Sequence, residues 1–314
     1  MKKSYLRFVL YIIFVILIPV ATGYGQPKLK TEREPVAAGR FYPADEDALK
    51  REVESYLGKI PKQSLPGKPV ALIAPNAGYK YTGIVAAHGY STIKGQSYKR
   101  VIILAPSHHG RFKGVSVSRE THYRTPLGSV VLDDDVCNKL LAQPPLFGTD
   151  PQADTGEYSV EIQLPFLQSV LHDFKIVPLL FGNLKKEDVK KVAEAIKPFV
   201  TDNTLLIASS DFTHYGDAFN YTPFRKDIEE NIKKLDYGAF DRILALDSDG
   251  FLQYRIETGI TADGFLPIGL LLKLLPPEAK GTLLIYDTSG KQSGDFTYSA
   301  SYASIVFTKP YGGK

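Results

Sequence analysis

Five short apolar runs set the rhythm of this chain: residues 70–73, 101–104, 176–180, 205–208 and 283–285. Each is too short for a helix and apolar at consecutive positions, which predicts strands covered on both faces. Stretches with helical spacing of apolar residues alternate with them, at 83–93, 159–171, 186–199 and 224–246. An earlier helix is predicted after Asp45, which can cap it; Leu49, Val53, Tyr56 and Leu57 share one face and Gly58 closes it. The tail, 299–307, has the character of a further strand, and 115–132 of a hairpin. Strands alternating with helices imply an α/β fold, with a central mostly parallel or mixed sheet flanked by helices. No repeat, low-complexity tract or linker interrupts the body, so 35–309 is expected to be a single domain behind a polar tether, 26–34.

The N-terminus follows a different pattern. Lys2, Lys3 and Arg7 precede an uncharged apolar run at 8–21, and the small residues Ala21-Thr22-Gly23 come next. A basic start, a short apolar core and a small-residue cleavage site describe a secretory signal peptide within residues 1–25. The alternative is an uncleaved anchor over residues 5–25, which would be the chain's one contact with a membrane. The mature protein is therefore expected to be exported, periplasmic or extracellular. Of the 314 residues 44% are hydrophobic, enough for a large core, and the net charge of +4 is spread without a basic stripe, so nucleic acid is not an expected partner. A single cysteine, Cys137, excludes an internal disulfide and a cysteine-based cluster; within a helical stretch it is expected to be buried.

Chemistry should lie beyond the carboxyl ends of the strands. Three strands end there in conspicuous loops: Pro75-Asn76-Ala77-Gly78-Tyr79, Pro106-Ser107-His108-His109-Gly110 and Ser210-Asp211-Phe212-Thr213-His214-Tyr215. Taken singly, each has an ordinary structural explanation. Paired histidines bond backbone carbonyls, Asp211 can be a helix cap, and Asp154, Glu157 and Glu161 can stabilise a helix start. In a parallel sheet, however, the loops converge on one edge. Imidazole and carboxylate groups there can ligate a metal, or serve as a general base and its orienting partner. Ser107 and Ser210 lack a nucleophile-elbow context.

Six motifs, in order from about residue 35 to 307, carry a family resemblance. Pro75-Asn76-Ala77-Gly78-Tyr79 is similar to P-H-A-G-Y, and Pro106-Ser107-His108-His109 to P-S-H-H. Tyr123-Arg124-Thr125-Pro126-Leu127-Gly128 corresponds to Y-x-T-P-L-G, and Glu157-Tyr158-Ser159-Val160-Glu161 to E-H-S-[VI]-E. Ser209-Ser210-Asp211-Phe212-Thr213-His214-Tyr215 and Asp263-Gly264-Phe265-Leu266-Pro267-Ile268 stand for S-S-D-[FL]-[ST]-H-[WY] and C-G-x-x-P-I. The chain thus resembles the Memo-like family, found in prokaryotes as protein B of the AmmeMemoRadiSam system. The resemblance implies the fold of class III extradiol dioxygenase catalytic subunits and a pocket whose metal core is two histidines and a cysteine.

Carried over, that core falls on Asn76, His109 and Asp263, with His108, His214 and Asp211 as candidate catalytic groups and Tyr158, Glu161 and Tyr79 as pocket residues. Two of the core positions depart from the family, since Asn76 and Asp263 replace a histidine and the cysteine; Tyr158 replaces a further histidine. Oxygen donors in place of thiolate disfavour copper(I) and leave iron or another divalent ion, or no metal at all, since the family histidine and cysteine are Asn76 and Asp263. Two functions follow as expectations: a metal-dependent redox enzyme, or a non-catalytic module that uses the pocket for a peptide or small anionic ligand. A radical-SAM partner works in a reducing cytosol, so the resemblance implies no physical partner for an exported chain. Asp263 is the most ambiguous position. Its carboxylate can replace the cysteine as a ligand, or cap the helix that starts at Gly264, and the local sequence favours the cap.

Overall fold

Four of the apolar runs become neighbouring parallel strands, which is why they carry no polar face. In the computed structural model, which describes residues 29–311, Lys68–Ala74 pairs with Thr204–Ser209, that strand with Arg100–Pro106, and that in turn with Lys175–Phe181. The tail strand Ser299–Lys309 lies antiparallel to Lys68–Ala74 and carries Lys280–Thr288 on its other side. At the opposite end Val115–Val117 pairs antiparallel with Lys175–Phe181. The result is a mixed sheet with a parallel centre, and helices Tyr79–Ser91 and Phe265–Leu274 pack against it. Side chains such as Leu72, Ile103, Val177 and Ile207 are fully buried. Each such burial stabilises the fold by about 1.5–3 kcal/mol.

The local caps follow the sequence. Asp45 accepts the Ala48 N–H at 2.9 Å and starts helix Glu46–Gly58, whose Leu49 and Val53 are buried. Cys137 is buried on helix Asp134–Leu141. Two expected elements form differently. The hairpin expected at 115–132 splits: Val115–Val117 joins the large sheet, and only His122–Thr125 with Gly128–Val131 makes the hairpin, in a separate sheet completed by Glu32–Arg33. The helix expected from 159 instead opens as a 3₁₀ turn, Glu161–Gln163, and becomes α-helical at Leu164–Val170, with Pro165 in the first turn where its missing N–H costs nothing. The N-terminal signal or anchor segment lies outside the described residues. Among the described residues no helix is long and apolar enough to cross a membrane.

Candidate metal centre

Because the central strands are parallel, the loops after Ala74, Pro106 and Ser209 meet at one sheet edge. Carboxylate–amide bonds tie two of them to the segment before helix Phe265–Leu274. Asp211 Oδ1 accepts the Asn76 N–H at 2.9 Å, and Asp263 Oδ1 accepts the Asp211 N–H at 2.9 Å and the Ser210 hydroxyl at 3.2 Å. The Gly264 N–H donates back to Ser210 Oγ at 3.0 Å. Here a side chain is excluded, since a Cβ on Gly264 would stand 2.4 Å from the Ser209 carbonyl oxygen. The helix itself is preceded by Gly264 and has no side-chain cap. Asp263 therefore does not cap it: the neighbouring loop takes one carboxylate oxygen and His108 the other.

His108 sits between two carboxylates. Its Nδ1 is 3.0 Å from Glu157 Oε1 and its Nε2 3.2 Å from Asp263 Oδ2. Burial disfavours the charged ring, but the two carboxylates outweigh it and the pKa is pushed up to about 10. Glu157 is almost fully buried and also accepts the backbone N–H groups of His108, Tyr158 and Ser159. Burial would raise its pKa, yet the His108 bond holds it below the usual range. The same opposition acts on Asp263, where burial is outweighed chiefly by the bond from His108 and the carboxyl is held low. Asp211 goes the other way: burial first, then the charge of Asp263, push its pKa up.

His214 completes the group. Its Nδ1 lies 3.1 Å from the Phe212 carbonyl and 3.3 Å from the Thr261 carbonyl. Both partners only accept, so Nδ1 is the donor there and Nε2 is the nitrogen left to face the other groups. Its backbone N–H donates to Thr261 Oγ1 at 2.7 Å. One residue earlier, Thr213 donates through its hydroxyl to the buried Asp236 carboxylate at 2.6 Å, which anchors this loop to helix Ile228–Leu244. One donor atom from each of Asp211, His214 and Asp263 lies within 4.8 Å of the other two. That span suits a single ion with metal–ligand distances of about 2.0–2.6 Å. Asn76 borders the group without adding a ligand to it. It is 1% exposed, and its Nδ2 is a buried donor with no hydrogen-bond partner of normal geometry, although it is near enough to Asp263 to help lower that carboxyl. Leaving such a group unpaired costs about 1–3 kcal/mol.

These groups open into a cavity of about 740 Å³. Of the residues singled out in the sequence, Asn76, His108, Tyr158, Asp211, His214 and Asp263 line it. Three do not. His109 is exposed, with its ring edge-on to Tyr158 at 6.5 Å; Glu157 has captured its neighbour, and His108 rather than His109 faces Asp263. Tyr79 is buried beneath the site and donates to the Ile162 carbonyl at 2.7 Å. Glu161 is a buried structural hub that accepts from Arg33 at 2.9 Å, from the Val36 and Ala37 N–H groups at 2.8 Å, and from the Tyr42 hydroxyl. Glu157, expected as a helix-start charge, instead holds His108; its place directly before Tyr158-Ser159 in a motif was the available signal. Phe41, Phe219, Tyr298 and Tyr302 also line the cavity, and no local pattern in the sequence marks them.

The family described as "Memo-like protein" matches residues 33–306. A MEMO1 family protein of Methanopyrus kandleri is 33% identical over 296 residues, covering 88% of this chain and 99% of its own. One from Sulfolobus acidocaldarius is 34% identical over 291 residues, covering 88% and 99%. A solved structure of an uncharacterized Escherichia coli protein overlays 75% of this chain and 98% of its own, with a TM-score of 0.47 and 12% identity.

Proposed function

The chain belongs to the Memo-like family, and we propose that it is a metal-dependent enzyme of the redox type whose ion is held by Asp211, Asp263 and His214. The observation that carries this reading is the gathering of those three donors within 4.8 Å of one another in a half-enclosed cavity. Two carboxylates and one imidazole favour iron(II), manganese(II) or zinc over copper(I). An ion of this kind, when bound, supplies Lewis acidity and, for iron or manganese, access to a second oxidation state. The protein's own residues do the rest. The Nδ1–H bonds of His214 to two carbonyls fix which nitrogen is free for coordination. Asp263 and Asp211 are both braced by backbone amides. His108, held between Asp263 and Glu157, stands at the cavity wall with its Nε2 on the Asp263 carboxylate. Tyr158 stacks on His108 at 4.9 Å and limits how that ring turns.

One observation favours a second reading. The bond between His108 and Asp263 satisfies both charges without an ion, as a non-catalytic binding module would require. Elemental analysis of untagged protein, after anaerobic reconstitution, separates the two. The enzyme reading expects close to one iron, manganese or zinc per chain, lost in His214→Ala and Asp263→Ala but retained in His109→Ala. Metal at background in the unaltered chain would leave the binding module.

A further inference from the structure

A second cavity, of about 510 Å³, lies where the loop after Phe112, the 144–146 turn and the start of helix Lys186–Ile196 meet. It shares no lining residue with the cavity of the candidate metal centre. Close backbone packing forms it. Gly114 adopts a φ of +88°, and a Cβ there would stand 2.6 Å from the Leu146 carbonyl oxygen, so glycine is what lets the Lys113-Gly114 turn lie against Pro145-Leu146. On the other flank Lys113 is bridged to Asn183. The floor is aliphatic: Pro144 and Pro145 are exposed, Leu146 and Leu184 half-buried, and no aromatic ring is among the lining residues described. Such a floor suits an alkyl chain rather than a stacked ring.

Charge narrows the choice. Lys113, Lys185, Lys191 and Asp188 are the charged groups of the lining. Two of the lysines are matched: Lys191 Nζ is 2.9 Å from Asp188 Oδ1, and Lys185 Nζ 3.8 Å from Glu187 Oε1. Lys113 is exposed and meets no carboxylate among the described residues. One positive charge is therefore left over at the edge of an apolar floor. The main chain there is already committed. The Gly114 N–H donates to the Asn183 carbonyl at 3.1 Å, the Val115 N–H to that of Leu146 at 2.9 Å, and the Asn183 N–H to that of Phe112 at 2.8 Å. A peptide, which binds largely through its backbone, would find few partners, and a polyanion only one unmatched cation.

We infer that this second cavity binds a free aliphatic monoanion, a fatty-acid-type carboxylate whose head pairs with Lys113 and whose chain lies over Pro145, Leu146 and Leu184. The inference does not depend on the metal centre. The apolar residues line a hollow rather than a protruding face, so a monomeric acid reaches them and a flat bilayer does not.

The test titrates full-length protein with decanoate below its micelle concentration, followed by calorimetry and by leucine-methyl NMR. Decanoate should bind about 3- to 15-fold tighter than octanoate, because two further methylenes leave water. It should bind at least ~5-fold tighter than decyltrimethylammonium, which has the same tail and the opposite charge. The methyl groups that shift should be those of Leu146 and Leu184. Lys113→Gln, at an exposed position that leaves folding intact, should weaken decanoate by about 2- to 5-fold, and Lys113→Glu should turn the preference toward the cation. Lys94→Gln, in a different cavity beside Leu57 and Ile60, should leave the affinity unchanged. Equal binding of decanoate and decyltrimethylammonium, an unchanged affinity in Lys113→Gln, or shifts confined to other leucines would overturn the inference. Phosphatidylglycerol vesicles that bind through Lys113 while decanoate does not bind would overturn it in favour of a membrane surface.

Discussion

His108 shows how one side chain's environment fixes its chemistry. With a carboxylate on each ring nitrogen, its folded pKa of about 10 exceeds the ordinary value of 6.5. A raised value means that its contribution to stability is complete below about 6.5 and is lost as pH climbs through 10. Glu157 and Asp263 are shifted down, so their share is lost on acidification below the usual carboxylate range. The metal-free protein should therefore gain most from this triad at mildly acidic pH. The stability difference between the parent chain and His108→Gln, measured by denaturant unfolding from pH 5 to 10, should hold to about pH 6.5 and shrink from there toward the alkaline end. A difference that stays constant over that range would show that the ring is not held charged. The sequence exposed the pair of histidines but not which one faces inward. That choice depends on Glu157, 49 positions away, which accepts both the backbone N–H and the Nδ1 proton of His108.

At the scale of elements, the site depends on how closely the Asp263 segment lies on the Ser209–Ser210 turn. The contact has no room for a Cβ at Gly264, where the nearest obstacles are backbone and the Ser210 side chain. Gly264→Ala should force helix Phe265–Leu274 away from the sheet, cost about 1–3 kcal/mol, and separate Asp263 from Asp211. Thermal unfolding together with metal content would register both effects. Unchanged stability with full metal content would mean that the segment moves freely. Local sequence pointed instead to Asp263 as a helix cap, because an aspartate before a helix with an early proline commonly plays that part. Competing donors decide the outcome: the Asp211 N–H and the Ser210 hydroxyl reach Asp263 Oδ1, and His108 reaches Oδ2. The interrupted helix near 159 has a comparable origin, since Glu161 is drawn inward to Arg33, Tyr42 and two backbone amides.

For the whole molecule, the N-terminal pattern of basic, apolar and small residues leads to the expectation of export, while Glu32–Arg33, within the expected tether, already belongs to the folded body. Sequencing the mature N-terminus from a native host should find a start between residues 23 and 26. An intact chain in the membrane fraction would indicate the anchor, and an intact cytosolic chain would refute export. The α/β class, the strands of the parallel centre and the six motifs could all be read from the sequence, because they rest on local periodicity and on contiguous residues. That a mixed sheet would carry the loops of Asn76, His108 and Asp211 to one edge was already implied by the alternation of strands and helices. Only the folded chain decided that Asp263 turns inward and that His109, Tyr79 and Glu161 stay out of the cavity. It alone brought Phe41, Phe219 and Tyr298 together into walls. Those outcomes are set by which distant donor reaches a given oxygen first and by which rings meet face to face, and neither contest leaves a trace in the spacing of residues along the chain.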